Sequence, residues 1–267
     1  FVVRSPHAHA KIRSIDISSA VLIPGVLTIL SGKDLRSDGI RPIPHNAEWS
    51  GAPDAEIRLP DDFEVFIPEH FSLALDFVRF VGEPVALVVA ETEAQAILGA
   101  EAVSVIYEEL PAVVDSRKAI KIEAPVLWRE RNNNISLECE VGDSARTNAA
   151  FAEAAHVVKF DSWVQRITGS PMEPRAAIGS FDKATGHYTL RSASGRGAVQ
   201  TRERLAFMLR VPLESCRVIF GDMGGNFGTR NAFSSEAFLM PWASRFVGRP
   251  VKWTASRNEC FLSDYQG

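Results

Sequence analysis

Residues 221–233 read GDMGGNFGTRNAF, with four glycines in the first eight positions. The apolar run CRVIFGD, which leads into this stretch and shares its first two residues, predicts a strand. The run SSEAFLMPWASRFVG after it predicts a helix. Glycine frees the backbone for positive φ and removes the Cβ that would block a neighbour. Successive bare N–H groups ahead of a helix favour an anion. The stretch therefore predicts a strand–turn–helix unit whose backbone lets a ligand come close.

Two common phosphate-binding patterns do not fit this turn. A Walker loop ends in Gly-Lys-Ser/Thr, whereas the chain has Gly228, Thr229 and Arg230. The dinucleotide pattern G-x-G-x-x-G fails because residues 224–228 read GGNFG. The glycines alone are also compatible with a tight turn that has only a structural role. Phe227 favours a ligand site, since an aromatic ring between glycines gives shape to a pocket wall.

Composition excludes several classes of protein. The 267 residues are 46% hydrophobic and 23% charged, as in an ordinary globular protein with a sizeable core. The net charge of −4, without a basic cluster, argues against a nucleic-acid partner. No apolar run reaches the roughly 18 residues of a membrane span. The chain starts at Phe1 without a signal-like segment, which predicts a piece of a longer polypeptide.

The three cysteines give a prediction about compartment and metal chemistry. Cys139, Cys216 and Cys260 lie far apart and form no CxxC pair. An odd number argues against a disulfide framework, and the spacing argues against zinc or an iron–sulfur cluster in this chain. We therefore expect a reducing, cytoplasmic location.

The first part of the chain predicts a small unit of strands and one helix. Residues 10–18 alternate roughly, and residues 83–91 form a β-branched run typical of a strand buried on both faces. A helix follows, with Thr92 and Gln95 in a capping-box pattern, and the strand VSVIYEEL comes next. Strand–helix–strand with short joints predicts a βαβ unit. The polar residues 36–62 predict a long surface loop.

The remainder predicts a second unit after an extended connector at 111–134. We expect its elements in this order: a helix at 147–155, a strand at 156–167, a hairpin at 176–194 turning at Gly186, a helix at 200–209, a strand at 216–222, a helix at 234–248 and a strand at 249–256.

Several motifs together resemble the molybdenum hydroxylases, the family of xanthine dehydrogenase, aldehyde oxidase and the large subunit of aerobic carbon monoxide dehydrogenase. GDMGGNFGTRNAF resembles that family's GGGFGGK-type loop. VVRSPHAHAKIRSIDISS and VRFVGEPVALVVAET are similar to its α/β hammerhead domain, and PMEPRAAIGSFD and RPVKWTASRNECFLSDYQG to its molybdopterin-binding domain. The resemblance implies an α+β fold, with a hammerhead domain at 1–116, a connector at 117–134 and the first part of the molybdopterin-binding domain at 135–267.

The resemblance also implies a cofactor and partners. We expect a molybdenum–molybdopterin group, in a cytosine dinucleotide form in some bacterial members, and hydroxylation of a small-molecule substrate with water as the oxygen source. Electrons would leave through iron–sulfur clusters and FAD on partner subunits or domains. The remainder of the chain's own subunit and a homodimeric assembly are expected as well. Phe227 and Gly228 would lie beside the metal, with Gly224 and Gly225 as supporting cofactor-binding positions.

Some positions depart from the family's pattern. The glutamine that contacts the metal's oxo group falls on Arg196, which is a permanently charged donor and is expected at that oxo face. Asn231 stands where xanthine-oxidising members carry a substrate-binding glutamate, which argues against purines and leaves aldehydes and N-heterocycles. The catalytic glutamate and the copper-binding cysteine loop of the family have no match up to Gly267. An inactive binding or assembly module is therefore the alternative.

Other side chains have simpler interpretations. Glu173 is a candidate second-layer residue near the cofactor, the alternative being an ion pair with Arg166 or Arg175. His7 and His9 share one strand face but have no third ligand, so a structural role is favoured. No Ser–His–Asp arrangement with an elbow motif is present, which argues against a hydrolase.

Overall fold

The computed structural model describes residues 1–45, 57–165, 167–192 and 197–265. The strands are β1 (Val2–Arg4), β2 (Ala10–Asp16), β3 (Val26–Ser31), β4 (Ile57–Arg58), β5 (Phe77–Val78), β6 (Pro84–Ala90), β7 (Ser104–Glu109), β8 (Glu140–Val141), β9 (Ala176–Asp182), β10 (His187–Ser192), β11 (Cys216–Ile219) and β12 (Val251–Thr254). The α-helices are α1 (Gly32–Ser37), α2 (Glu93–Ala102), α3 (Ser116–Ala119), α4 (Ser144–Glu153), α5 (Ala198–Leu209), α6 (Ser235–Val247) and α7 (Arg257–Ser263). The mixed content of helices and mainly antiparallel strands confirms the predicted α+β class.

The chain divides into two compact units. The first contains Phe1–Pro44, Glu69–Val114 and Ile167–Gly267, and the second contains His45–Pro68 and Asp115–Arg166. The main hydrophobic core lies in the first unit and draws on both its N-terminal and its C-terminal parts. The domain boundaries at 116 and 134 stay a prediction.

Two three-stranded sheets form the N-terminal part of the first unit. One has the order β1-β6-β3 and the other β5-β2-β7. The run at 83–91 forms β6 as predicted, and six of its seven residues are buried. The predicted βαβ unit is wrong, because β6 pairs antiparallel with β1 and β3 on its two edges while β7 pairs with β2 in the other sheet. With both edges of β6 occupied, the chain leaving α2 has to join another sheet.

The capping pattern at the start of α2 forms as predicted. The backbone amide of Gln95 donates to Thr92 Oγ1 at 3.3 Å, and the backbone amide of Thr92 donates to the side-chain oxygen Gln95 Oε1 at 3.0 Å. Each bond satisfies a backbone donor that the helix itself leaves without a partner. The helix then packs on β6 and contributes Ala96 to the buried residues.

A four-stranded sheet of order β11-β10-β9-β12 forms the C-terminal part of the first unit. The predicted hairpin joins β9 to β10, and Gly186 has a φ of 72° at its turn. Helix α6 packs directly on β9. Gly179 permits this contact, because a Cβ at that position would overlap the backbone of Met240 and Pro241.

The second unit contains β4, β8, α3 and α4, and β4 pairs antiparallel with β8. The predicted helix at 147–155 is found as α4, where Asp143 caps the first turn by accepting the Arg146 amide at 2.9 Å. The predicted strand at 156–167 is wrong for residues 156–165, which are irregular and exposed. Its apolar residues have no strand or core to pack on among the described residues, and Val158 is 90% exposed. Part of the predicted loop at 36–62 falls on residues 46–56, outside the described residues.

Every helix in the described part of the chain is too short or too polar to cross a bilayer.

A buried carboxyl group precedes β6. The Glu83 side chain accepts the Arg79 amide at 2.5 Å, and Glu83 is 5% exposed. Burial raises the pKa of this carboxyl from 4.5 to about 7, because removing water disfavours the charged form. Glu83 is thus neutral in the folded chain at mildly acidic pH.

Glu83→Gln is expected to flatten the pH dependence of stability. Between pH 4.5 and about 7 the unfolded chain ionises Glu83 while the folded chain keeps it protonated, so stability falls as the pH rises through this window. The loss in the wild-type free energy of unfolding is on the order of 2–3 kcal/mol. Urea denaturation of both proteins across that pH range checks this. An equal change in the free energy of unfolding with pH in the wild type and in Glu83→Gln would contradict it.

Candidate functional site

The glycine turn lies on the surface between β11 and α6, in the strand–turn–helix order expected from the sequence. Gly225 and Gly228 have φ values of 109° and 82°, which only glycine adopts without strain. A Cβ built on Gly221 or Gly228 would meet nothing within 4 Å. The turn therefore presents open backbone, and a side chain at either position would occupy the space a ligand could use.

Phe227 stands out from this backbone. Its side chain is 73% exposed, and its φ of 48° places a non-glycine residue in the left-handed region. That conformation costs about 1–2 kcal/mol for an L-residue. The ring lies close to Gly225, since a Cβ on Gly225 would be 3.0 Å from Phe227 Cε2; the same Cβ would be 3.3 Å from Pro171 Cβ. Strain kept at an exposed aromatic residue is typical of a functional position.

Glu173 lies behind the turn and joins its two ends. Its Oε2 accepts the Gly224 amide at 2.7 Å and Arg230 Nη1 at 2.9 Å. The predicted ion pair with Arg175 is wrong, because Arg175 pairs instead with two other carboxylates. Arg166 lies outside the described residues. Arg230 was not predicted as the partner; its signal in the sequence is a basic residue three positions after Phe227, within the same turn.

A buried cluster of charges supports the segment that carries Glu173. Glu236 of α6 pairs with Arg175 at 2.8 Å and with Arg4 of β1 at 2.6 Å. Burial alone would raise the pKa of Glu236, but the charges of Arg175 and Arg4 overcome it and hold this pKa at about 2. Arg4 also pairs with Glu259 of α7 at 3.1 Å. Glu236 therefore stays ionised, and the cluster ties both parts of the first unit together.

The amides of the turn divide into two groups. Gly224 donates to Glu173, and Gly228 donates to Asn226 Oδ1 at 3.0 Å. Within the described residues, no hydrogen bond uses the amides of Gly225 and Phe227. The amides of Gly225 and Phe227 are thus among the backbone donors that the turn keeps for an anionic or strongly polar ligand.

The other predicted positions have the following outcomes. Arg196 lies outside the described residues. Asn231 is exposed and accepts Asn226 Nδ2 at 2.8 Å, so it braces the turn. His9 is buried and its Nδ1 lies 2.8 Å from the Pro111 carbonyl oxygen, a structural contact. Among the described side chains, no three His, Cys, Asp or Glu residues are grouped to hold a metal ion directly.

Comparison with known proteins defines the class. A family model for the molybdopterin cofactor-binding domain matches residues 127–267, and one for the aldehyde oxidase and xanthine dehydrogenase a/b hammerhead domain matches residues 1–111. The chain is 32% identical over 265 residues to the 6-hydroxypseudooxynicotine dehydrogenase complex subunit gamma of Paenarthrobacter nicotinovorans, covering 98% of this chain and 31% of that protein. It is 32% identical over 280 residues to the carbon monoxide dehydrogenase large chain of Afipia carboxidovorans, covering 98% and 32% respectively. The crystal structure of quinoline 2-oxidoreductase from Pseudomonas putida 86 matches it with a TM-score of 0.82 at 30% identity, over 100% of this chain and 32% of that one.

The chain therefore belongs to the molybdenum hydroxylase family, which confirms the resemblance seen in its motifs. The two family models follow one another along the chain as the hammerhead and cofactor-binding domains were predicted to do. The chain spans about a third of the length of the relatives it matches.

Phe227→Ala is expected to change the free energy of unfolding by less than about 1 kcal/mol, because the ring is mostly exposed and buries little surface. Phe233→Ala is the matched control in the same segment; that ring is 1% exposed, and its loss should cost about 3–5 kcal/mol. Urea denaturation of both variants checks this. Equal losses would show that the Phe227 ring is part of the core.

Proposed function

We propose that this chain is the part of a molybdenum-binding oxidoreductase subunit that holds the cofactor against the glycine turn. Gly224, Gly225, Phe227, Gly228 and Arg196 would be the cofactor-binding positions. The reaction is hydroxylation of an aldehyde or an N-heterocycle with water as the oxygen source. Relatives named for quinoline and nicotine chemistry support the heterocycle class.

One combined observation supports this proposal. The turn has open backbone at Gly228, a strained residue at Phe227, and contacts with Glu173 at both of its ends. Open backbone at Gly228 fits a bulky group lying against the chain, and the free amides of Gly225 and Phe227 fit a group carrying negative charge. The exposed Phe227 ring fits a wall that limits the direction of approach. These residues suit a metal whose sulfur ligands come from a pterin, since no three His, Cys, Asp or Glu side chains among the described residues are grouped to hold the metal directly.

The chain's own residues bind and orient. When bound, the molybdenum–pterin group supplies the two-electron oxidation and the oxygen transfer. The amides of the turn hold the group's negatively charged atoms, and Phe227 restricts access and excludes water from one side. No residue among the described side chains is assigned as the catalytic base.

The assembly follows from the same proposal. Iron–sulfur clusters and FAD on partner subunits or domains would take up the electrons, and the rest of the subunit would enclose the cofactor. A relative named as a subunit of a dehydrogenase complex supports several components. We further propose a cytosine dinucleotide form of the cofactor, a homodimer of the assembled enzyme and a cytoplasmic location.

The second candidate function is a binding or assembly module that is inactive by itself. The length comparison favours it, because a chain spanning a third of its relatives offers one side of a pocket, and ligands are retained by burial on most sides. Molybdenum analysis of the purified chain separates the two. Stoichiometric molybdenum supports a competent site in these residues alone, and none supports the module.

Gly228→Ala is expected to lower molybdenum content severalfold in the protein that contains this chain, since the new methyl group occupies the open face of the turn. Gly186→Ala in the β9–β10 turn is the matched control: Gly186 also has a positive φ and nothing within 4 Å of a built Cβ. Both variants should lose about 1 kcal/mol of stability from backbone strain. Equal molybdenum in both variants would contradict the site.

Phe227→Ala is expected to impair turnover of that protein on an aldehyde or N-heterocycle more than it impairs stability, because the ring limits how substrate approaches. Steady-state kinetics and metal content measured on the same preparation check this. Unchanged kinetics at full metal content would remove Phe227 from the site.

A further inference from the structure

We propose that Glu173 is a positioning residue that sets the conformation of the glycine turn, and through it the placement of Phe227. The inference rests on the proposed function, because a fixed turn matters only if a ligand lies against it. Two contacts of one carboxylate oxygen, Glu173 Oε2, carry it. One contact is with Gly224, three residues before Phe227 in the chain, and the other is with Arg230, three residues after it.

The approach of Glu173 to the turn is close. A Cβ on Gly224 would lie 2.6 Å from Glu173 Cβ and 3.1 Å from Glu173 Oε2, so only glycine fits there. The bond from the Gly224 amide, at 2.7 Å, has a charged acceptor and belongs to the stronger class. Gly224 therefore serves the site by lacking a side chain and by taking this bond, while the amides of Gly225 and Phe227 remain for a ligand.

The ion pair between Glu173 and Arg230 is costly to lose. Its side chain is 1% exposed, and its Nε is buried without a hydrogen-bond partner among the described residues. A buried guanidinium requires a nearby carboxylate, because desolvating an unpaired charge is expensive. The charge of Arg230 also acts on the Asp264 carboxylate, but the carboxylate that is hydrogen-bonded to Arg230 is that of Glu173.

The segment that carries Glu173 is itself held in place. Arg257 at the start of α7 donates to the carbonyl oxygens of Pro171 at 2.7 Å and Met172 at 2.6 Å. Two residues after Glu173, the Arg175 carbonyl accepts the Ala255 amide at 2.8 Å, and the Arg175 side chain enters the buried charge cluster. Glu173 thus transmits the position of a rigid segment to an exposed turn.

The consequence concerns the residues between the two contacts. Phe227 occupies a strained left-handed conformation, and strain of this kind persists only where the surroundings hold it. With Gly224 and Arg230 released from Glu173, the turn is free to relax, and Phe227 is no longer held in its left-handed conformation. Glu173 acts on the site without touching the ligand.

Residue-resolved amide hydrogen exchange in the 267-residue chain tests the contact directly. Glu173→Gln should speed exchange at Gly224 by about tenfold or more, because a charged acceptor is replaced by a neutral one. Exchange in β9 should stay unchanged. Glu101→Gln on the exposed face of α2 is the matched control and should leave Gly224 as in the wild type. Unchanged exchange at Gly224 in Glu173→Gln would overturn the contact.

Variants of Arg230 separate positioning from simple loss of structure. Arg230→Lys keeps a charged donor toward Glu173 and should retain slow exchange at Gly224, whereas Arg230→Met should lose it. The double variant Glu173→Gln/Arg230→Met should be no worse than the more affected single variant, since the contacts are coupled. Additive effects, or no rescue by lysine, would overturn the shared role.

Kinetics of the loaded protein that contains this chain tests the positioning. Glu173→Gln should lower kcat at equal molybdenum content with a smaller change in KM, because the turn is misaligned while the substrate still enters. Faster exchange at Gly224 with unaltered kinetics would overturn the positioning role. A wild-type protein without molybdenum would refute the proposed function instead, and the exchange result would still decide whether Glu173 orders the turn.

Discussion

The ion cluster of Glu236 with Arg175 and Arg4 is the constraint on which the rest of the first unit depends. It joins the first strand, the segment before β9 and the start of α6, and all three side chains are nearly inaccessible to water. Breaking such a cluster on one side leaves an uncompensated buried charge, which costs about 3–5 kcal/mol. Because Arg175 is held there, the residues just before it face the glycine turn, and Glu173 meets the turn from behind.

Most of the regular structure could be predicted from local patterns. The capping pair of Thr92 and Gln95, the turn at Gly186 and the apolar run of β6 each depend on neighbours in sequence, so a single sequence carries the signal. Sheet pairing could not be predicted in the same way, and β6 and β7 entered different sheets. The segment at 156–165 has strand-forming residues, but a strand needs a partner, and propensity does not provide one.

The candidate site was predicted in part. The positive φ of Gly225 and Gly228 follows from residue type, because glycine permits it. The sequence predicted Phe227 as part of a pocket wall and did not predict how far its ring is exposed. The pairing of Glu173 with Arg230 spans 57 positions in the chain, and nothing local distinguishes Arg230 from Arg175 as its partner. Only the path of the backbone between β9 and α6 decides which arginine is near. Arg196 remains a prediction.

The most direct test of the central claim is anomalous diffraction at the molybdenum absorption edge from crystals of the protein that contains this chain. The anomalous peak locates the metal without reference to any assumed role. We expect a peak on the open side of the turn, beside Phe227 and the backbone of Gly228. A peak elsewhere, with this turn covered by ordinary side-chain packing, would contradict it.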